Sequence, residues 1–355
     1  GESARLRTGP LTGDLRPEIA VAHGGSVSVV GLGVDGKPVR LVSARPTDRV
    51  AARPAPPAFA DVTGDGVPDL VFGAAKIGAE GGPEGGTLTL LPGVAGGGFG
   101  APTSLASIAA TGLSAVEGAF AAVHWADGFG RRPSEVWLFA GGASPSRRAR
   151  VRVGNGGAGV VRADLDGDGE QEWIVVDGAS VRRVAADGSL LGTVAVAGSR
   201  GVGAGDLTGD GANEVFVYGD TLNLLTSNDM GAVVPIEAPT AIVSVIAADV
   251  PHGDATAPDG LVDLVLATRD TVMLLAQRGR WTFERVPLVD VPGTLRISDI
   301  ALLELGADLP HLLVVASSVR GWELILLPLD RRSRIEPIDP PRLDESPMPL
   351  THVLR

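Results

Sequence analysis

The chain has 355 residues, 30 basic against 42 acidic, for a net charge of −12, and it contains no cysteine. Disulfides and thiolate chemistry are therefore excluded, and the acidic balance argues against nucleic acid, whose phosphates need a clustered positive field. No stretch approaches about 18 unbroken apolar residues, so no membrane-spanning helix is expected. The 44% apolar content suffices for a large core, and 50 glycines and 26 prolines without a collagen-like period punctuate many short elements.

Taken in order, the first residues from Gly1 to Arg5 carry no apolar leader, so a signal peptide is expected to be absent or already removed. Leu11-Thr12-Gly13-Asp14 runs to an apolar stretch, Glu18 to Val21. Val27–Leu32 and Val39–Val42 read as strands around an Asp35-Gly36 hairpin turn. That turn lies in Gly31-Leu32-Gly33-Val34-Asp35-Gly36-Lys37, which imitates a phosphate-binding loop. Pro38 stands where a magnesium-binding hydroxyl is required and no helix follows, so the turn reading wins.

A long connection, Asp48–Pro57, leads through Ala58-Phe59-Ala60 to Asp61-Val62-Thr63-Gly64-Asp65-Gly66-Val67-Pro68-Asp69. Strands are then expected at Leu70–Ala75, Thr87–Leu91 and Phe99–Leu105, with a second long loop at Lys76–Gly86. Asp127 to Glu135 is a decayed version of the nonapeptide, followed by Val136-Trp137-Leu138-Phe139. Only Arg148–Val153 then reads as a strand before the next unit, which leaves that unit with an expected three strands.

Clean copies return at Asp164-Leu165-Asp166-Gly167-Asp168-Gly169-Glu170-Gln171-Glu172 and Asp206-Leu207-Thr208-Gly209-Asp210-Gly211-Ala212-Asn213-Glu214. Each runs straight into an apolar strand, Trp173–Val176 or Val215–Tyr218. Asp249 to Asp263 repeats the pattern around an insertion and leads into strands at Leu264–Thr268, Val272–Ala276 and Thr282–Leu288. Glu304 to Asp308 precedes Leu312–Val315. Beyond Pro337 the chain turns proline-rich, as a tail wrapping the outside, with Thr351–Leu354 a candidate edge strand.

The motifs end at 18, 69, 135, 172, 214, 263 and 312, at spacings of 51, 66, 37, 42, 49 and 49 residues. A four-stranded propeller blade takes roughly 40–50 residues. The expected fold is therefore all-β: one seven-bladed β-propeller over residues 1–336, mostly with four antiparallel strands per blade. The acidic loops join the first and second strands, and 337–355 forms the tail.

The nonapeptide has the chemistry of a calcium loop. Positions 1, 3 and 5 turn oxygens inward, position 7 offers its carbonyl, position 9 returns a carboxylate, and glycine at position 6 allows the sharp turn; calcium takes six to eight hard oxygens. The candidate ligands are Asp61, Thr63, Asp65, Val67 and Asp69; Asp164, Asp166, Asp168, Glu170 and Glu172; and Asp206, Thr208, Asp210, Ala212 and Glu214. Asp249, Asp259 and Asp263 form a fourth candidate set, with Asp254 a weaker one. An EF-hand is excluded because its twelfth position needs a bidentate Glu, whereas Phe72, Val175 and Val217 stand there.

These repeats resemble the FG-GAP/VCBS repeats of integrin α-subunit propellers and of many bacterial surface proteins, over nearly the whole chain. The resemblance implies calcium in the loops between the first two strands of a blade, and adhesion or ligand binding on a face. The first, third and seventh copies depart from the pattern: Pro10 and Leu15 replace the first Asp and the Gly, and Leu312 replaces the last acid. Those loops are expected to hold no metal, leaving about three calcium ions and an open fourth.

The expected function is a non-catalytic, calcium-stabilised binding or adhesion module, monomeric, secreted, periplasmic or at the cell surface, with a protein or glycan ligand. The alternatives are a lectin reading sugars between blades and a calcium-dependent polysaccharide lyase. Arg147, Arg148, Arg150 and Arg152 read as a solvated edge. Trp137 and Trp173 read as inter-blade core, and Trp125 and Trp281 as freer aromatic surfaces. His23, His124, His252, His311 and His352 show no metal spacing. The two long loops, Asp48–Pro57 and Lys76–Gly86, are candidate binding loops on the face opposite calcium.

Overall fold

Runs of Val, Leu, Ile and Ala bounded by Gly, Pro and Asp become strands because each has both faces to bury and a breaker at each end. The computed structural model describes residues 4–9, 17–32, 38–44, 52–79, 82–126, 133–154, 156, 159–226, 232–251, 259–303, 310–318 and 321–329. Among these there is no helix, every strand pairing is antiparallel, and within each blade the strands pair in sequence order, except that the first two short strands of blade two both pair with the next long strand.

Seven sheets follow one another along the chain. Blade one holds β1 (Ala4–Gly9), β2 (Glu18–His23), β3 (Ser26–Leu32) and β4 (Pro38–Ala44). Blade two holds β5 (Ala52–Pro54), β6 (Ala58–Ala60), β7 (Asp69–Ile77), β8 (Pro83–Leu91) and β9 (Thr103–Ala106). Blade three holds β10 (Ala110–Val116), β11 (Ala119–His124), β12 (Glu135–Ala140) and β13 (Ser146–Arg152). Blade four holds β14 (Gly159–Ala163), β15 (Glu172–Val176), β16 (Ser180–Val184) and β17 (Leu190–Ala195). Blade five holds β18 (Ser199–Gly205), β19 (Glu214–Gly219), β20 (Leu222–Leu225) and β21 (Val233–Ile236). Blade six holds β22 (Ser244–Ala248), β23 (Asp263–Ala267), β24 (Thr271–Gly279) and β25 (Thr282–Asp290). Blade seven holds β26 (Arg296–Leu303), β27 (His311–Ser318) and β28 (Gly321–Pro328).

The core is not one mass but a set of layers, one between each pair of neighbouring blades. Trp173 and Val175 face blade three, where they meet Val123, Val136 and Leu138. Ile174 and Val176, the alternate residues of β15, face blade five and meet Val215 and Val217. A second strand covered on both faces reads as an unbroken apolar run, and all five residues of β15 are buried. The fourth strands, β13 and β17, alternate or expose their residues, as outer strands in contact with water do.

The ring closes through the same device. Ala4, Leu6, Ile19 and Val21 of blade one pack with Ala301, Leu303, Leu313 and Val315 of blade seven, and β1 lies against β26. Asp299 bridges the seam, its two oxygens taking the Leu6 amide at 3.0 Å and the Ile300 amide at 3.1 Å.

Three expectations need correction. Blade three has four strands, not three, because β10 and β11 pair through the two-residue turn Glu117-Gly118, with Gly118 at φ 68°. The segment Asp127–Glu135 therefore connects the second and third strands, and Trp137 sits on the third strand. The long loop Asp48–Pro57 is partly strand: β5 and β6 together form the innermost edge of blade two, split at Ala55-Pro56-Pro57, and both pair with β7. Lys76–Gly86 is likewise mostly hairpin, since β7 runs to Ile77 and β8 starts at Pro83. The Asp35-Gly36 turn, Asp254, His252, His352, most of the first and seventh motif copies, and the tail lie outside the described residues.

Candidate metal centres

The acidic loops of blades two, four, five and six each connect the innermost strand to the second. They share one hydrogen-bond scaffold, in which the first Asp caps the turn. Asp61 takes amides from Gly64 at 2.6 Å, Asp65 at 3.1 Å and Gly66 at 2.8 Å. Asp164 takes those of Gly167 and Gly169 at 2.7 and 2.9 Å, and Asp206 those of Gly209, Asp210 and Gly211 at 2.7, 3.2 and 2.9 Å. The glycines at position 6 have φ of 83°, 86° and 91°, a region that side chains with a Cβ rarely enter.

The fifth residue takes the amide of the seventh: Asp65 from Val67, Asp168 from Glu170 and Asp210 from Ala212, at 2.9, 2.8 and 3.0 Å. Blade six keeps this geometry despite its insertion. Asp249 takes the Gly260 amide at 2.9 Å and Asp259 takes the Leu261 amide at 2.9 Å, so Asp249, Asp259 and Asp263 occupy positions 1, 5 and 9.

The ninth acid is the buried anchor of the loop. Asp69 accepts from Val62 and Thr63 at 2.8 and 2.7 Å, and from Gly93 at 2.8 Å. Glu214 accepts from Leu207 at 2.8 Å and from the Thr208 hydroxyl at 3.3 Å. Asp263 accepts from Val250 at 3.1 Å and from Gln277 at 2.7 Å. Burial pushes the Glu214 carboxyl above its ordinary pKa, outweighing the Leu207 hydrogen bond, and the nearby Asp210 and Asp206 add to the rise.

Blade four differs through Arg183 on β16, which no loop pattern could reveal. Its guanidinium reaches Asp166 at 2.5 Å and Glu172 at 2.6 Å. The hydrogen bond from Arg183 holds the Asp166 carboxyl below the ordinary aspartate range. Among the described residues, this is also where three acids converge: Asp164, Asp166 and Asp168 each bring an oxygen within 4.8 Å of the others.

A cation fits the chemistry of these loops. Among the described residues, six buried side-chain oxygens have no hydrogen-bond partner; four of them, Thr63 Oγ1, Asp166 Oδ1, Glu172 Oε2 and Asp249 Oδ1, stand at candidate ligand positions, and Ser199 Oγ and Gln277 Oε1 do not. Unsatisfied buried oxygens raise the free energy unless something coordinates them.

The loops also tie neighbouring blades together, through residues outside the sequence pattern. Asn213 of blade five donates its amide to the Asp164 carbonyl at 2.7 Å and accepts the Asp164 amide on its side chain at 3.0 Å. Gln277 of blade six donates to the Leu207 carbonyl of blade five at 3.1 Å. Gly142 of blade three donates to the Val62 carbonyl of blade two at 2.8 Å.

The aromatic candidates resolve differently. Trp173 is core, at 2% exposure, with Arg162 over its ring. Trp137 is half-buried, and Arg147 and Arg150 lie over it at 4.5 and 5.7 Å, so part of the basic edge is stacked on an indole. Arg53 stands over Trp125 at 5.9 Å and Arg280 over Trp281 at 5.5 Å. His124 accepts the Ala109 amide at 3.2 Å, and the His23 ring lies tilted at 46° to Trp322, 5.1 Å between centroids.

Among solved structures, the chain is similar to that of BBS1N in complex with ARL6DN, soaked with lead: TM-score 0.61, 13% identity, 95% of each chain covered. The mercury-soaked form of the same complex gives a TM-score of 0.58 at 13% identity, covering 95% of this chain and 94% of that one. The C-terminal WD40 domain of Sif2 gives 0.54 at 10% identity, covering 92% and 97%. No protein-family model matches the chain. No curated protein sequence matches it either. At these identities the likeness shows the propeller fold alone.

Proposed function

We propose that the chain is a calcium-stabilised binding module of the integrin-α-like FG-GAP/VCBS kind, working outside the cytosol on a protein ligand. The observation that carries the reading is the shared scaffold of the four acidic loops with buried, unpartnered oxygens at Thr63, Asp166, Glu172 and Asp249. Asp61, Thr63, Asp65 and Val67 would hold one ion, and Asp206, Thr208, Asp210 and Ala212 another, with Asp69 and Glu214 behind them. Asp249, Asp259 and Asp263 offer a third. Calcium there would supply positive charge and coordination; the protein supplies loops already bent to turn their oxygens toward one another.

The loops join adjacent blades, so an ion in each stiffens the ring instead of performing chemistry. Weak calcium sites of this kind would fill at millimolar calcium, which favours a working compartment outside the cytosol. A protein ligand is favoured by the fold neighbour BBS1N, a propeller whose structure is a complex with ARL6DN.

The test is thermal and calorimetric. Each filled site should add about 1–2 kcal/mol at millimolar calcium, so a chelator should lower the melting temperature by several degrees, and calcium should restore it. Asp61→Asn with Asp206→Asn should lose two of the calorimetric sites. A melting curve indifferent to chelator, with no heat on adding calcium, overturns the reading.

A further inference from the structure

The innermost strands of all seven blades line a cavity on the propeller axis, with a volume of about 360 Å³. Its lining runs against the composition of the chain. In a protein of net charge −12, the cavity presents, among the described residues, Arg5, Arg7, Arg53 and Arg200, and a single acid, Asp299. Arg5, Arg53 and Arg200 are each the second residue of an innermost strand, β1, β5 and β18. Because these strands run the same way around the ring, the three guanidinium groups share one mouth of the channel, the end away from the acidic loops.

Among the described residues, the negative charge within reach is already committed or weak. Asp299 gives both oxygens to the Leu6 and Ile300 amides and stands 4.0 Å from Arg5. Arg200 meets Asp220 at 2.7 Å, but both side chains are more than half exposed, at 58% and 57%, where pairing contributes little. Among the described residues no carboxylate lies within ion-pair distance of Arg7 or Arg53. Arg53 is reached by solvent at the mouth, yet partial desolvation by the surrounding walls lowers its pKa, and the charges of Arg5 and Arg200 lower it further, so these groups feel one another across the channel. Arg5 is braced by the Ser298 carbonyl at 3.1 Å, and Arg53 by the Trp125 ring. Tyr218 lines the same space, its phenol held protonated by burial.

Like charges held around a narrow, partly dehydrated channel repel, and a multivalent oxyanion relieves that repulsion through charge-assisted hydrogen bonds from planar guanidinium donors. We infer that the arginine-lined mouth of the axial channel is a binding site for a small oxyanion-bearing ligand: a phosphate, sulfate or carboxylate group seated among Arg5, Arg7, Arg53 and Arg200. A cavity of this size lies within the range that takes one small molecule.

The test is a calorimetric titration of the full chain with inorganic phosphate, sulfate and succinate, in calcium-free buffer at ionic strength fixed with chloride. Saturable binding of one oxyanion per chain is expected, and the order among the three separates tetrahedral anions from carboxylates. Arg53→Gln and Arg200→Gln should each weaken binding about tenfold. Arg53→Lys should keep part of the affinity, and Arg152→Gln on β13 should change nothing. Absence of saturable binding by all three anions overturns the proposal before any variant is made. Unchanged affinity in the folded Arg53→Gln and Arg200→Gln variants overturns it equally. Because calcium is left out, the result is separate from the fate of the acidic loops.

Discussion

Asp177 shows how much one side chain can organise. It is 4% exposed, yet it accepts from the Ser180 hydroxyl and amide at 2.8 and 2.7 Å, the Ala179 amide at 3.1 Å and the Gly154 amide at 2.8 Å, and it pairs with Arg182 at 3.2 Å. Burial alone would raise its pKa, but these bonds outweigh burial and hold the carboxyl below its ordinary value. A depressed carboxylate contributes stability that is fully present above its unfolded pKa, about 3.9, and is lost as pH falls through the folded value. Asp177→Asn should therefore lower unfolding stability by about 1–3 kcal/mol at pH 7, with the gap to wild type narrowing below about pH 4, as urea melts at several pH values would show. Arg183 is the second decisive residue, because it already supplies a positive charge to Asp166 and Glu172. Arg183→Gln should melt lower than wild type in chelator and gain more from added calcium; an equal gain would mean that the guanidinium and the ion do not compete.

At the scale of elements, the acidic loops of blades two, four and five are ties between blades as much as turns within one. Gln277 on β24 links the Asp263 anchor of its own blade to the Leu207 carbonyl of the preceding one. Gln277→Leu should therefore cost about 1–3 kcal/mol through the donor it removes, and hydrogen exchange should rise in the 206–213 loop more than in the loop at 164–171. The acidic loops were legible in sequence because their turn chemistry is local: Asp at position 1 and Gly at positions 4 and 6 dictate the bend whatever surrounds them. Blade three was not, because Ala119–His124 is half alanine and carries one β-branched residue, Val123, while Asp127–Glu135 imitates a motif that sits between different strands. The proline-broken β5 was hidden for the opposite reason, since Pro54, Pro56 and Pro57 look like loop and are tolerated where an innermost strand is split. Arg183, Asn213 and Gln277 carry no local signature at all, because their partners lie 11 to 70 positions away.

For the whole molecule, layered packing between blades makes the ring the cooperative unit. The fold class and the blade number follow from the repeat spacing, but the axial arginines do not: Arg5, Arg53 and Arg200 meet only once the ring has closed. Closure rests on the seam between β1 and β26, where Asp299 ties the Leu6 and Ile300 amides. Asp299→Ala should lower global stability by about 2–4 kcal/mol, and the Leu6 and Ile300 amides should exchange faster than those of β15, deep between blades three and five. The seam has a further consequence during synthesis. Leu6 and its carboxylate partner are 293 positions apart, so at about 5–20 residues per second on the ribosome the first strand waits roughly 15–60 s for the residue that receives it. Through that interval Ala4 and Leu6 lack their blade-seven cover on a growing nascent chain, and a chaperone that shields short apolar segments has its longest opportunity at this first strand of the ring.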